Sequence, residues 1–182
     1  KMSDPNGVTA RCDDRAISGF PFRIELRCNA VAYDSLQDNI AFEASAFRGA
    51  RQIYDFKRTV AELDGPLLIE APFGLNLNWS LLHASLRDAE PLPERVSIEA
   101  KDLRAMDAAS AGIKILFQAK QLEGHMRTEG PVVDLAGRFE TLQIEPEAVQ
   151  GRTLPPLTGV FATNFFGQKL IERDELNTEL LR

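Results

Sequence analysis

The residues best suited to a specific reaction are two cysteines near the amino end, which can form a disulfide. Folding the segment RCDDRAISGFPFRIELRC, residues 11–28, about Phe20 sets residues whose numbers sum to 40 opposite each other. This register gives one cysteine pair and two pairs of opposite charge: Cys12 with Cys28, Asp13 with Arg27, and Arg15 with Glu25. Directly opposed strand residues place their Cβ atoms close enough for a disulfide. We therefore predict a β-hairpin clasped by a Cys12–Cys28 disulfide.

The predicted disulfide also indicates a compartment. Disulfides persist in the periplasm or outside the cell and are rare in the cytosol. Closing a loop of this length stabilises a fold by about 3 kcal/mol in the chain-entropy model. We therefore expect a periplasmic protein. The alternative, a cytosolic protein with two free and buried thiols, stays open at this point.

Other catalytic or metal-binding arrangements find little support in the residues. Neither His83 nor His125 has a second histidine or a cysteine at the spacing of a metal site. No G-x-S-x-G nucleophile elbow and no glycine-rich phosphate loop occurs. Ser80, His83 and Ser85 lie too close along one strand to form a triad. We therefore predict that the protein is not an enzyme and has no catalytic residues, no metal and no cofactor.

Composition limits the classes of partner. The chain has 182 residues, of which 44% are hydrophobic and 26% charged, as in ordinary globular proteins. Its formal net charge of −6 argues against nucleic acid, which needs a basic surface. The longest uncharged stretch, residues 71–86, contains Pro72 and Asn76 and is too short and too polar to span a bilayer. We expect one β-rich domain over residues 1–182, belonging to a longer protein whose inner-membrane anchor lies outside this sequence.

Alternation of apolar and polar residues with period two dominates the chain and predicts strands. The alternating segments are residues 22–29, 40–46, 52–63, 67–69, 75–82, 96–101, 113–119, 135–141 and 160–166. The turn signal Asp64-Gly65-Pro66 predicts a second hairpin between two of these segments. Helix is predicted only over Asp102 to Ala111 and over Gln168 to Arg182, where helix-forming residues are frequent.

Strands with one apolar face each must cover that face, and this requirement predicts the fold class. We predict a mainly β fold built on one strongly curved antiparallel sheet, either half-barrel or sandwich-like. One or two short helices and the disulfide-clasped amino-terminal hairpin complete the prediction.

Three segments resemble the family of domain of unknown function 2125. They are GFPFRIELRC (residues 19–28), which Cys12 precedes, AELDGPLLIEAP (61–72) and LNWSLLHASLR (77–87). The resemblance implies an envelope protein of alphaproteobacteria with an inner-membrane anchor ahead of a periplasmic β-rich region. It also implies a distant similarity to AsmA-like proteins, whose curved sheets are described as holding or passing lipids. The family supplies no catalytic residues that can be carried over.

The apolar faces of the predicted strands are candidates for one continuous concave surface. Its candidate residues are Phe22, Ile24, Leu26, Phe42, Tyr54, Phe56, Leu75, Leu77, Trp79, Ile113, Ile115 and Phe117. An open surface of this size needs a ligand, a partner or a membrane, whereas the alternative is a closed core.

Two functions from different classes follow from these alternatives. The first hypothesis is a non-enzymatic envelope protein that binds or shields lipid, or another apolar ligand, in a groove of the sheet. The second is a structural or interaction module of the periplasm. It would bind an envelope protein through a sheet edge or through its carboxyl-terminal segment.

Overall fold

The computed structural model describes residues 2–3, 8–35, 39–70, 74–90, 92–108 and 114–166, the first two by backbone alone. Within these residues the chain is almost entirely antiparallel β-structure. The helical element among them is a single 3-10 turn at Pro146–Val149. The predicted mainly β class is therefore confirmed.

Fifteen strands lie in the described part of the chain. In chain order they are β1 (Met2–Ser3), β2 (Val8–Asp13), β3 (Ala16–Ser18), β4 (Arg23–Cys28), β5 (Ala30–Ser35), β6 (Ile40–Ala44), β7 (Phe47–Gln52), β8 (Asp55–Leu63), β9 (Leu67–Glu70), β10 (Leu75–Asn78), β11 (Leu81–Arg87), β12 (Arg95–Asp107), β13 (Lys114–Glu129), β14 (Val132–Ile144) and β15 (Leu157–Phe166). From β2 to β11 the strands form five consecutive pairs: β2 with β3, β4 with β5, β6 with β7, β8 with β9, and β10 with β11. Within each pair, one to three residues separate the two strands. Each pair makes one pass of the chain across the sheet. With the longer strands β12 to β15 there are nine passes.

The nine passes form one antiparallel meander, because each pass pairs with the passes before and after it. The first five passes are split into two halves. Half-sheet A contains β2, β5, β6, β9 and β10, and half-sheet B contains β3, β4, β7, β8 and β11. β12 joins the halves, since it pairs with β11 near its start and with β10 near its end. β13, β14 and β15 extend the same sheet, which has the curled, half-barrel form of the prediction.

The boundary between the half-sheets is a line of irregular residues that we call the crease. It consists of residues 14–15, 29, 45–46, 64–66, 79–80, 102 and 141. Asp14, Asp102 and Thr141 adopt left-handed backbone there, with φ of 49°, 51° and 51°. Across Asp102 the pairing register of β12 does not change, but the apolar side is faced by even-numbered residues before it, such as Ile98, and by odd-numbered residues after it, such as Ala105. The crease therefore bends the sheet and resets the alternation.

The disulfide establishes that the apolar faces of the two half-sheets lie on the same side. Cys12 on β2 is in register with Val31 of half-sheet A. Cys28 on β4 is in register with Phe47 of half-sheet B. The two cysteines are bonded, with Cα atoms 5.2 Å apart, so both faces point to one side of the sheet. The predicted disulfide is thus confirmed, and it crosses the crease.

The register predicted for the amino-terminal hairpin is wrong by three residues. Paired residue numbers sum to 43 rather than 40, so Asp13 faces Ala30 and Ala16 faces Arg27. The turn occupies residues 19–22. Cys12 is in backbone register with Val31, but the irregular residues of the crease place its side chain next to Cys28, where the disulfide forms.

The core of the protein follows the crease. The buried apolar residues of the described chain all lie on or beside it: Cys28, Ala44, Trp79, Ala100, Ala105 and Ala119. Exposure rises away from it, from 3% at Cys28 to 44% at Ile24 and from 8% at Ala44 to 42% at Ile40. A sheet that bends toward its apolar face buries the residues at the bend and leaves the outer ones open. The apolar face is therefore a trough and not a closed core.

Directed hydrogen bonds hold the crease together. The Trp79 indole Nε1 donates to the Leu63 carbonyl oxygen at 2.7 Å, which joins β11's pass to β8's. The Ser80 hydroxyl donates to Asp102 Oδ2 at 2.6 Å and so joins the next pair of passes. These bonds satisfy polar groups that the interrupted ladders leave unpaired.

Two further predictions are wrong. Residues 102–107 belong to β12 and not to a helix, because β12 pairs with β10 and β13 on its two sides and this pairing outweighs local propensity. Residues 64–66 lie in the crease and close no hairpin, since β8 pairs with β7 and β11 while β9 pairs with β6 and β10. The remainder of the first predicted helix, residues 109–111, and the predicted helix over Gln168 to Arg182 lie outside the described residues.

Candidate functional site: an apolar trough

The half-sheet B wall of the trough carries a row of small residues across the strands. Successive register pairs place one residue of each pass from β4 onward in this row: Leu26, Gly49, Ala61, Ala84, Ile98, Gly124, Gly137 and Phe161. Five of the eight are glycine or alanine. The row therefore forms a shallow channel that runs across the strands.

Larger side chains border this channel on both sides. They lie two residues from the row and hence on the same face. On the crease side they are Phe47, Leu63, Leu82, Leu122 and Phe139, and on the outer side they are Ile24, Leu86, Val96, Met126 and Leu135. Arg51 and Thr59 interrupt the outer border, where the Arg51 Nε donates to the Thr59 hydroxyl at 2.6 Å.

The channel is open over β13 and covered over β14. A Cβ atom added at Gly124 would meet no heavy atom within 4 Å, so the space above this residue is empty. At Gly137 the ring of Phe161 occupies the corresponding position. Ligand contact is therefore possible along the central passes and ends near the β15 edge.

The half-sheet A wall is lined by apolar residues in every pass. One register row contains Cys12, Val31, Ala44, Leu67, Leu77, Ala105, Phe117 and Ile144. In the next row the rings of Tyr33 and Phe42 are stacked, with centroids 5.2 Å apart. The trough thus has two apolar walls that meet at the crease.

The structure brings most, but not all, of the predicted groove residues to the trough. Ile24 and Leu26 lie on the half-sheet B wall, and Phe42, Leu75, Leu77, Ile115 and Phe117 lie on the half-sheet A wall. Trp79 lies at the bottom of the crease and is only 9% exposed, so it supports the fold more than it faces a ligand.

The remaining predicted residues lie elsewhere. Phe22 and Tyr54 are in turns and strongly exposed. Phe56 lies on the face of β8 that is opposite the trough. Successive residues of a strand point to opposite faces, so Phe56 shares a face with Arg58 and not with Lys57. Ile113 lies outside the described residues.

The small residues of the channel were not among the predicted groove residues. Glycine and alanine give a weak apolar signal, although Ala61 and Gly137 lie within alternating segments. Gly49 and Gly124 are placed in the trough by their register with Leu26 and Ile98, and this register is known only once the strands are paired.

With this geometry in hand, comparison with known proteins adds one finding. Residues 3–173 match the model of a family described as "Uncharacterized protein conserved in bacteria (DUF2125)". The chain belongs to the DUF2125 family. The resemblance of residues 19–28, 61–72 and 77–87 to this family is thereby confirmed. No curated protein and no solved structure matches the DUF2125 chain. The description names no ligand or reaction, so the trough itself must suggest the function.

No helix among the described residues is long and apolar enough to cross a bilayer. In the same part of the chain, no three His, Cys, Asp or Glu side chains are grouped to hold a metal ion.

The face opposite the trough is charged. One register row across half-sheet B and the later strands contains Arg27, Arg48, Glu62, His83, Glu99, Glu123 and Arg138. Arg48 binds Glu62 at 3.2 Å and Asp64 at 2.7 Å. The DUF2125 sheet therefore has one apolar side and one side held by ion pairs.

A serine, a histidine and a glutamate meet on this charged face. His125 Nδ1 lies 3.0 Å from the Ser97 hydroxyl, and its Nε2 lies 3.7 Å from Glu123 Oε2. The histidine side chain is half exposed on the flat sheet surface.

Glu25 is the buried acid of the charged face. It lies between two arginines of its own strand, with Arg23 Nη2 at 3.0 Å and Arg27 Nε donating to Oε1. The hydrogen bond from Arg27, together with the charges of Arg27 and Arg23, lowers the pKa of Glu25 below its ordinary value of 4.5 against the effect of desolvation.

We expect acidification to destabilise the wild-type protein more than a Glu25→Gln variant. A carboxyl group with a lowered pKa in the folded state stabilises the fold above its unfolded pKa, and this contribution is lost as the pH falls through the folded pKa. The measurement is urea unfolding of both proteins at a series of pH values from neutral to well below 4.5. Equal slopes of stability against pH in the two proteins would contradict the assignment.

Proposed function

We propose that this DUF2125 protein binds lipid acyl chains along the trough and catalyses no reaction. The observation that carries the proposal is the apolar trough itself, with a buried crease and walls whose exposure rises to above 40%. An open apolar surface of this extent costs free energy in water unless something covers it. An acyl chain matches it, because each buried methylene contributes about 0.8 kcal/mol.

The length of the trough indicates how much lipid it accepts. Nine passes span eight strand spacings of about 4.8 Å, or about 38 Å along the sheet. The acyl layer of one membrane leaflet is about 15 Å thick, half of a hydrocarbon core of about 30 Å. Two acyl chains placed end to end therefore fit along the crease.

The disulfide supports an oxidising compartment for this activity. Cys12 and Cys28 are bonded, and no free cysteine remains in the chain. Bonds of this kind persist in the periplasm and are reduced in the cytosol. We propose the periplasm as the compartment, with an inner-membrane anchor on the full-length protein.

The test is mass spectrometry of unreduced protein purified without detergent, together with its organic extract. We expect acyl lipid in near-stoichiometric amount and a protein mass two hydrogens below that of the reduced chain. A protein of similar size from the same compartment, purified in parallel, controls for carried-over membrane. Lipid at or below the control level would overturn the binding proposal, and an unchanged mass on reduction would overturn the compartment.

A second candidate function rests on β15. This ten-residue edge strand, LTGVFATNFF, carries no charged residue and pairs only with β14 among the described strands. Val160 and Phe166 are strongly exposed on the charged side of the sheet. Long uncharged edges of this kind accept a further strand. If the protein is free of lipid, binding of an envelope protein to β15 becomes the better proposal.

A further inference from the structure

Exposed aromatic residues concentrate at one end of the sheet. In a meander, alternate turns lie at the same end, and here residues 19–22, 53–54, 88–90, 92–94 and 130–131 form what we call the turn rim of half-sheet B. Phe20 and Tyr54 on this rim are 87% and 77% exposed. Phe22, Phe56 and Phe166, at the adjoining strand ends, are also exposed. At the opposite end the exposed large apolar residues of the described chain are aliphatic.

The turns of the rim are bonded to one another. The Ile53 amide donates to the Phe22 carbonyl oxygen at 3.1 Å, which ties the second turn to the first. The Asp88 amide donates to the Lys57 carbonyl oxygen at 2.7 Å, and Asp88 also binds Arg51 at 2.7 Å. The aromatic side chains are therefore held on connected turns and project from the end of the sheet.

A row of four arginines lies beside the rim on the charged face. Register pairs place Arg58, Arg87, Arg95 and Arg127 next to one another on β8, β11, β12 and β13. Like charges opposite each other destabilise a sheet. Four arginines in a row therefore do not stabilise the sheet, and binding of an anion explains the row better.

Two arginines of this row have no acid to neutralise them. Arg87 binds Asp55 at 3.1 Å and Glu94 at 3.2 Å, and Arg127 binds Glu129 at 2.7 Å. Arg58 and Arg95 are exposed and make no ion pair or side-chain hydrogen bond with any described residue. They supply positive charge at this end of a chain whose net charge is −6.

We propose that the turn rim docks the protein onto an anionic lipid bilayer. Aromatic side chains favour the headgroup level of a membrane, and arginines near it are attracted to anionic lipids. The two features coincide at one end of the sheet, so they also fix the orientation. The half-sheet B wall runs from this rim through Ile24 and Leu26, so docking brings one end of that wall to the membrane surface.

The docking surface lies outside the trough, and the docking proposal does not depend on lipid binding in the trough. A protein can dock on a membrane whether or not its trough carries lipid, and the two are measured separately. Lipid in the purified protein reports on the trough. Binding of the whole chain to added vesicles reports on the rim.

The experiment is flotation of the full chain with two kinds of vesicle. One kind contains phosphatidylglycerol and phosphatidylcholine, and the other contains phosphatidylcholine alone. We expect binding to the first kind and weak binding to the second. The pair Arg58→Glu and Arg95→Glu should lower the vesicle affinity about tenfold or more, since each basic residue near an anionic surface adds to binding. The pair Phe20→Ser and Tyr54→Ser should lower it as well.

A matched control carries the same charge change away from the rim. Arg104 and Arg152 are exposed and unpaired in the described chain, and Arg104→Glu with Arg152→Glu should bind vesicles as the wild type does. All substituted residues are exposed, so thermal unfolding should be unchanged and checks that each variant is folded. Equal loss in the control pair, or no vesicle binding by the wild type, would overturn the proposal. The second result is also what a protein partner on the rim predicts.

Discussion

Placing a carboxylate in the trough with Ile98→Glu is expected to reduce the lipid recovered with the protein at least tenfold. Ile98 lies in the channel between Ala84 and Gly124 and is 43% exposed. The longer side chain therefore has room, and the fold should survive. Covering the carboxylate with an acyl chain costs more than the 1.4 kcal/mol that corresponds to tenfold in affinity. The measurement is lipid per protein in the organic extract.

The matched control is Leu68→Glu, which adds the same charge on the other face. Leu68 is 39% exposed and in register with Glu43 and Asn76 on the charged side of half-sheet A. Its lipid content should stay at the wild-type level. A second variant, Gly124→Leu, fills the empty space above β13 without adding charge and should also lower the lipid content. Normal lipid content in both trough variants would exclude the channel as the binding site.

Replacing Trp79 by alanine is expected to have the largest effect on stability, lowering the free energy of unfolding by about 3–5 kcal/mol. Trp79 is buried at the crease, and its indole donates to the Leu63 carbonyl oxygen of another pass. Trp79→Phe retains most of the apolar area but loses this hydrogen bond and part of the ring volume, which together should cost about 1–2 kcal/mol. Urea unfolding of the three proteins measures both differences.

Tyr54→Ala serves as the control for Trp79→Ala. Tyr54 is also a large aromatic residue but is exposed on a turn, so its removal should change the stability by no more than about 0.5 kcal/mol. If Trp79→Ala were as mild as Tyr54→Ala, the crease would not be the centre of the core.

Local alternation was enough to predict the class of fold but not the pairing of the strands. Segments such as residues 96–101 and 113–119 show period two, and the described parts of both are strands. The crease could not be seen, because the break in the alternation has no sequence signal of its own. Asp102 is an example, since nothing distinguishes it from other exposed aspartates. The disulfide was found although its register was wrong, because the crease compensates the shift.

The candidate site was partly predictable for the same reason. Leu75 and Leu77 were placed correctly on an apolar face, since they lie on one side of the crease. Phe56 is predicted on the wrong face, because the prediction counts the alternation from β7 through the turn and into β8. The alternation of β8 starts anew after that turn. The open channel depends on glycine and alanine residues that line up only after pairing. Whether an apolar face is open or closed is a property of the bend, which propensity does not encode.

The meander has a further consequence for how such a protein varies. Each pass pairs only with its neighbours along the chain, so the pairing contains no long crossover that fixes the number of passes. One additional hairpin would lengthen the sheet by about 10 Å and leave the cross-section of the trough as it is. The number of hairpins then sets the length of the molecule that the trough can bind. Duplication or loss of a hairpin, and not exchange of lining residues, would be the shortest evolutionary route to a longer or shorter ligand.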